Sequence, residues 1–109
     1  MANSEDNRHM SKIIELAKTL DALGHPLRLR ILALLASKEM YLNEIAISLG
    51  VSRALAKVHL KKLERAGLVK SRVELVEGEA KALRYYTLQD FKVNISPQTL
   101  RKEVEKGGQ

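Results

Sequence analysis

The stretch NEIAISLGVSRALAKVHLKKLERAG, Asn43 to Gly67, constrains the fold more than any other part of this chain. Asn43 and Ser52 are residue types whose short side-chain oxygen accepts from a free backbone N–H at a helix start, so each is expected to cap a helix. Leu42 with Ile47, and Val51 with Ala56, have the spacing of hydrophobic staples around those caps. Gly50 and Gly67 fall where each helix should stop, because glycine takes left-handed backbone without a Cβ clash. The prediction is two short helices joined by a tight glycine turn. Leu42, Ile45, Ala46 and Leu49 give the first its buried face, and Ala56, Leu60, Leu63 and Ala66 give the second its own. On another face of that second helix Arg53, Lys57, Lys61 and Arg65 recur every four residues, with Lys62 beside them. Five basic residues against one acid, Glu64, leave this helix a net +4 out of +6 for the whole chain. A helix-turn-helix with its charge concentrated there matches the geometry in which the second helix enters a DNA major groove.

The 109 residues suffice for one small domain with a modest core. A hydrophobic fraction of 45% supports folding rather than disorder. The basic balance suits a polyanionic partner. Cysteine is absent, which removes disulfides, thiolate metal sites and thiol redox chemistry together. The longest apolar run, Ile31 to Ala36, is too short to cross a bilayer, and no signal-peptide core is seen at the N-terminus. A cytoplasmic protein without membrane contact is expected.

Around the central motif the chain reads as follows. Residues 1–10 are polar and mixed in charge, the composition of a flexible tail, and His9 there is expected to be solvated. A first helix runs from Ser11 to Leu23, with Ile13, Leu16, Ala17, Leu20 and Leu23 on one face and Gly24 after it. His25-Pro26 opens a second helix, Pro26 sitting where its missing N–H costs nothing. Leu27, Ile31, Leu34 and Leu35 form its apolar face, widened by Leu29 and Leu32, and Arg28 and Arg30 are expected at its surface. From Leu68 to Leu88 the period changes: VKSRVELV and ALRYYTL flank the turn EGEAK, a β-hairpin. Lys81 and Arg84 are its candidate phosphate anchors, while Tyr85 and Tyr86 are expected to pack against neighbours. Phe91 to Ile95 alternates as a short extended segment. Ser96-Pro97 then caps a final helix, roughly Gln98 to Lys106, with Leu100 and Val104 as its apolar stripe. Residues 107–109 form a flexible end.

The order helix, helix, helix-turn-helix, hairpin, helix resembles ArsR-type transcriptional regulators. The resemblance covers nearly everything from Leu23 to Leu88. It rests on Leu23-Gly24-His25-Pro26-Leu27-Arg28-Leu29-Arg30-Ile31-Leu32, on Ile45-Ala46-x-x-Leu49-Gly50-Val51-Ser52, on Val58-His59-Leu60-x-x-Leu63-x-x-Ala66-Gly67-Leu68-Val69, and on Arg84-Tyr85-Tyr86-x-Leu88. It implies a winged helix-turn-helix, mainly α with a β-hairpin wing, and a homodimer built from the first and last helices. It also implies a partly palindromic operator and, usually, repression of transcription. Two departures stand out. Metal-sensing members carry cysteines on the first helix of the helix-turn-helix, or acids and His on the last helix. This chain has no Cys, and its last helix offers only Glu103 and Glu105 on different faces. The recognition helix shows Arg53, Ala54, Lys57 and Val58 where polar Gln, Ser and His are frequent, so the operator cannot be borrowed from relatives.

The reading is thus a single winged helix-turn-helix domain, residues 11–106, that binds double-stranded DNA as a homodimer, most simply as a repressor. Ser52, Arg53, Ala54, Lys57 and Val58 would face base edges; Lys61, Lys62, Lys81 and Arg84 would hold phosphates. In the family pattern His59 lies at the DNA side, either contacting phosphate or base or serving the turn. Ile13, Leu16, Leu20, Leu100 and Val104 would form the dimer interface. No metal or cofactor is expected, since His25 and His59 have no recognised ligand spacing. No enzyme is expected either: the sequence has no paired His and carboxylate motif and no Gly-rich phosphate loop. The alternatives are a winged-helix subunit of a larger assembly and a non-specific chromatin-type DNA binder.

Overall fold

The computed structural model describes residues 4–106, with side chains from 12 to 105. Its elements are α1 (Ser4–Leu23), α2 (Pro26–Leu35), β1 (Met40–Tyr41), α3 (Leu42–Leu49), α4 (Arg53–Arg65), β2 (Val69–Leu75), β3 (Ala82–Leu88) and α5 (Pro97–Lys106). Helix α1 begins at Ser4 rather than at the expected Ser11, and of the expected tail over 1–10 residues 1–3 lie outside the described residues. A polar composition does not by itself forbid a helix. The expected C-terminal tail, 107–109, lies outside the described residues.

Two compact units divide the chain, Ala22–Asp90 and Met1–Asp21 with Phe91–Gln109. The first contains the helix-turn-helix and the hairpin. At the start of α2 the His25 ring caps the helix, its Nδ1 accepting from the Leu27 N–H at 3.1 Å. Helix α3 starts one residue ahead of the expected cap. Tyr41 holds the cap position, and the Glu44 carboxylate accepts from its N–H at 3.0 Å, so Asn43 lies inside the helix. The staple around Asn43 fails with it, and Ile47 is 72% exposed. The cap on α4 is as expected, Ser52 Oγ accepting from the Leu55 N–H at 3.0 Å. Gly50 (φ 70) and Gly67 (φ 77) end the two helices in left-handed backbone.

Strands β2 and β3 pair antiparallel from Val69↔Leu88 to Leu75↔Ala82, turning at Gly78 (φ 78). The short strand β1 adds to the other side of β3, with Met40↔Tyr86 and Tyr41↔Tyr85, giving the order β1-β3-β2. Ile31 of α2, Ile45 of α3, Leu60 and Leu63 of α4 and Val69 of β2 are fully buried, and Met40 and Tyr86 close the core from the sheet. Two expectations for α2 are corrected. Leu29 is exposed and leaves the apolar face, and Arg28, expected at the surface, is buried.

In the second unit Leu16 of α1 and Leu100 of α5 line one shallow open groove with Asn94 and Thr99. Ser96 and Thr99 cap α5 reciprocally: Ser96 Oγ accepts from the Thr99 N–H at 3.1 Å, and Thr99 Oγ1 from the Ser96 N–H at 2.8 Å. Residues 91–95 take up no strand. Among the described residues no helix is long and apolar enough to cross a membrane, and no group of three or more His, Asp or Glu could hold a metal ion.

Candidate nucleic-acid interface

Helix α4 divides its residues by period. Ala56, Leu60 and Leu63 are buried, while Arg53, Ala54, Lys57, Val58, Lys61 and Arg65 are exposed. Val58 is 63% exposed, an apolar side chain presented outward beside two lysines. Lys62 is half-buried. Ser52, at the helix start, is exposed but spends its hydroxyl oxygen on the cap.

The wing brings a further cation to this face. Lys57, Lys61, Glu64, Arg84 and Tyr86 line one open groove between α4 and β3. Within it Arg84 Nη1 donates to Ser71 Oγ at 3.0 Å, and that hydroxyl donates to Glu64 Oε2 at 2.9 Å. The relay orients Arg84 and occupies the acid of the helix. Cross-strand register explains it, because Ser71 pairs with Tyr86 and Val73 with Arg84, placing all four on one face of the hairpin. Lys81 is not part of this group. It lies at the hairpin tip, its Nζ 3.4 Å from Glu79.

The opposite face of the hairpin is a separate cluster. The Arg72 guanidinium binds both oxygens of Glu39, at 2.6 and 2.8 Å, and Glu74 at 3.1 Å. It also lies 5.0 Å from the centre of the Tyr85 ring, which meets Tyr41 edge-on at 5.8 Å. Arg72 holds the Glu39 carboxyl below its usual range, helped by a hydrogen bond from Thr87. Tyr85 and Tyr86 pack on neighbours, as expected of them.

His59 is corrected as a DNA contact. Its side chain is buried, and Arg28 Nη1 lies 3.0 Å from its Nδ1. A guanidinium can only donate, so Nδ1 accepts and the ring is neutral with its proton on Nε2. The His25 ring lies 4.4 Å away, tilted by 48°. Burial, then the charges of His25 and Arg28, push the His59 imidazole below its usual pKa. The helical period carries the signal for this position: Ala56, His59, Leu60 and Leu63 stand at i, i+3, i+4 and i+7, the inner face.

Fold and site together define a winged helix-turn-helix DNA-binding domain. A family model described as bacterial regulatory protein, arsR family, matches residues 25–71. A helix-turn-helix-type transcriptional regulator of Methanocaldococcus jannaschii is 36% identical over 94 residues, spanning 86% of this chain and 97% of the relative. Among solved structures, a homodimeric winged helix-turn-helix DNA-binding domain from Mycobacterium bovis, a possible ArsR-family regulator, superposes with a TM-score of 0.64 at 28% identity. That match covers 90% of this chain and 80% of the other. HlyU from Vibrio cholerae superposes with a TM-score of 0.60 at 26% identity, covering 86% and 89%. The chain belongs to the ArsR family of transcriptional regulators.

Proposed function

We propose that the protein is a sequence-specific repressor that acts in the cytoplasm as a homodimer on a partly palindromic operator, by occupancy rather than catalysis. The observation that carries this is the single exposed face of α4 on which Arg53, Ala54, Lys57, Val58 and Lys61 stand, with Arg84 of the wing lining the same groove as the two lysines. In a dimer two such helices would sit about one turn of B-DNA apart, roughly 34–36 Å. Arg53 is suited to bind guanine through two hydrogen bonds, a contact worth about 1–3 kcal/mol of discrimination. Ala54 and Val58 offer methyl groups to thymine, and Ser52 lies at the same end of the helix. Lys61, Lys62, Lys81 and Arg84 supply charge to phosphates and set register rather than sequence. The dimer reading is supported by the half-buried Ile13, Leu16 and Leu20 of α1 and the exposed Leu100 and Val104 of α5. The M. bovis neighbour is itself homodimeric.

The test is selection of bound fragments from genomic DNA, with affinity titrated at two salt concentrations. An inverted repeat with a steep salt slope is expected, because phosphate contacts release counterions. Arg53→Ala should relax the sequence preference, and Leu100→Asp should yield monomer in sedimentation. Uniform binding to every fragment would replace the operator reading with a chromatin-type role. A wild type that sediments as monomer ends the dimer reading.

A further inference from the structure

The core of this small domain contains one charged group that packing does not ask for. Arg28 stands with Ile31, Leu32 and Leu35 at i, i+3, i+4 and i+7, an inner-face position where an apolar side chain would serve burial at lower desolvation cost. It is 8% exposed, and its partner His59 is 7% exposed. Arg28 Nε donates to the Ala22 carbonyl at 2.6 Å, and Nη1 donates to His59 Nδ1 at 3.0 Å. One guanidinium therefore ties the last turn of α1, helix α2 and helix α4. His59 directly follows Lys57 and Val58, which point outward from the same helix.

The bond sets a chemical condition. The guanidinium has no lone pair to offer and does not lose its proton, so His59 Nδ1 must be unprotonated. His25 is under the same condition, because its Nδ1 accepts from the Leu27 N–H. Among the described residues the charged and titratable groups acting on the His59 ring are Arg28, from α2, and His25, from the cap of α2. Both would oppose a proton there. Elements α3 and β2, which also pack on α4, add no charge to that set. A proton on His59 replaces a hydrogen bond with two cations in contact.

We propose that Arg28 and His59 are positioning residues for DNA recognition, a latch between α2 and α4 that holds only while His59 is neutral and that opens on acidification, weakening DNA binding. The proposal rests on the reading of α4 as the DNA-contacting helix. Its sign is distinctive. A histidine that merely adds charge near DNA strengthens binding when protonated; the latch gives the opposite.

The experiment measures fluorescence anisotropy of the full chain on the duplex recovered by genomic selection, at pH 7.5 and 5.5 and constant salt. Wild-type affinity should fall severalfold, as His59 takes up a proton below its ordinary range. In His59→Asn the amide oxygen still accepts from Arg28 but takes no proton, so its affinities at the two pH values should agree. A wild type that binds equally or more tightly at pH 5.5, or an H59N that loses affinity as the wild type does, overturns the latch. Hydrogen-exchange protection of residues 53–65 supplies a reading that needs no DNA. Protection should drop at pH 5.5 in wild type and not in H59N, and an equal response in both overturns the latch. Absence of binding by wild type at pH 7.5 is a failure of the DNA reading alone, since the exchange measurement then decides the latch.

Discussion

Removing Lys61 and Arg84 together tests the electrostatic half of the interface directly. Both side chains are exposed and line one groove between α4 and β3, while Glu64 is engaged by Ser71. If each cation neutralises one phosphate, Lys61→Ala/Arg84→Ala lowers the slope of log affinity against log salt by about 1.8 per protomer, or about 3.6 for a dimer. Between 50 and 200 mM salt the ratio of wild-type to variant affinity then shrinks by roughly 12-fold per protomer and about 150-fold for the dimer. Anisotropy titrations across that salt range, on the operator duplex and on a scrambled duplex of equal length, give the slopes. The loss at low salt should be the same for both duplexes, because phosphates carry no sequence. An unchanged slope, or a loss confined to the operator, refutes the assignment of Lys61 and Arg84 to phosphates. Thermal unfolding serves as the control, since neither side chain is buried in the core.

Other perturbations address the scaffold. Leu63→Ala empties a fully buried site in α4 and should cost about 2–5 kcal/mol in urea unfolding. A cost below 1 kcal/mol, on the order of a surface change, would mean that α4 is not seated in the core as described. Gly50→Ala meets no atom within 4 Å of the added Cβ, so its penalty comes from the backbone at φ 70 alone, about 1 kcal/mol. An undiminished stability would show that the turn is not held in left-handed backbone. For pH, the folded His59 imidazole is held below its ordinary value, so the unfolded chain takes the proton first. Its stability contribution is complete above about pH 6.5 and is lost as pH falls through the lower folded value. Urea midpoints should therefore drop between pH 7.5 and 5.5 in wild type and less so in H59N; Glu39, shifted the same way, acts only in the more acidic carboxylate range.

The helix-turn-helix was legible because its determinants are local. The Ser52 cap, the glycines at 50 and 67 and the i, i+3, i+4 spacing of Ile45, Leu49, Ala56, Leu60 and Leu63 act within a turn or two of chain. The hairpin was legible for the same reason, as β-rich runs about a Gly–polar turn. Strand β1 was not, because two residues hold no periodicity and Met40-Tyr41 becomes a strand only when β3 offers its edge. Its pairing also shifted the start of α3, making Tyr41 the cap in place of Asn43. Arg28 and His59 show the boundary most sharply. Their spacing put both on inner faces, yet their polarity argued for the surface. A buried donor or acceptor is tolerable only with a partner, and that partner lies 31 positions away in the sequence. The sequence by itself determined which helices form, where they stop and which face of α4 is basic. Only the tertiary structure decided that Arg28 and His59 meet in the core, because the match of donor to acceptor exists only once α2 and α4 are packed together.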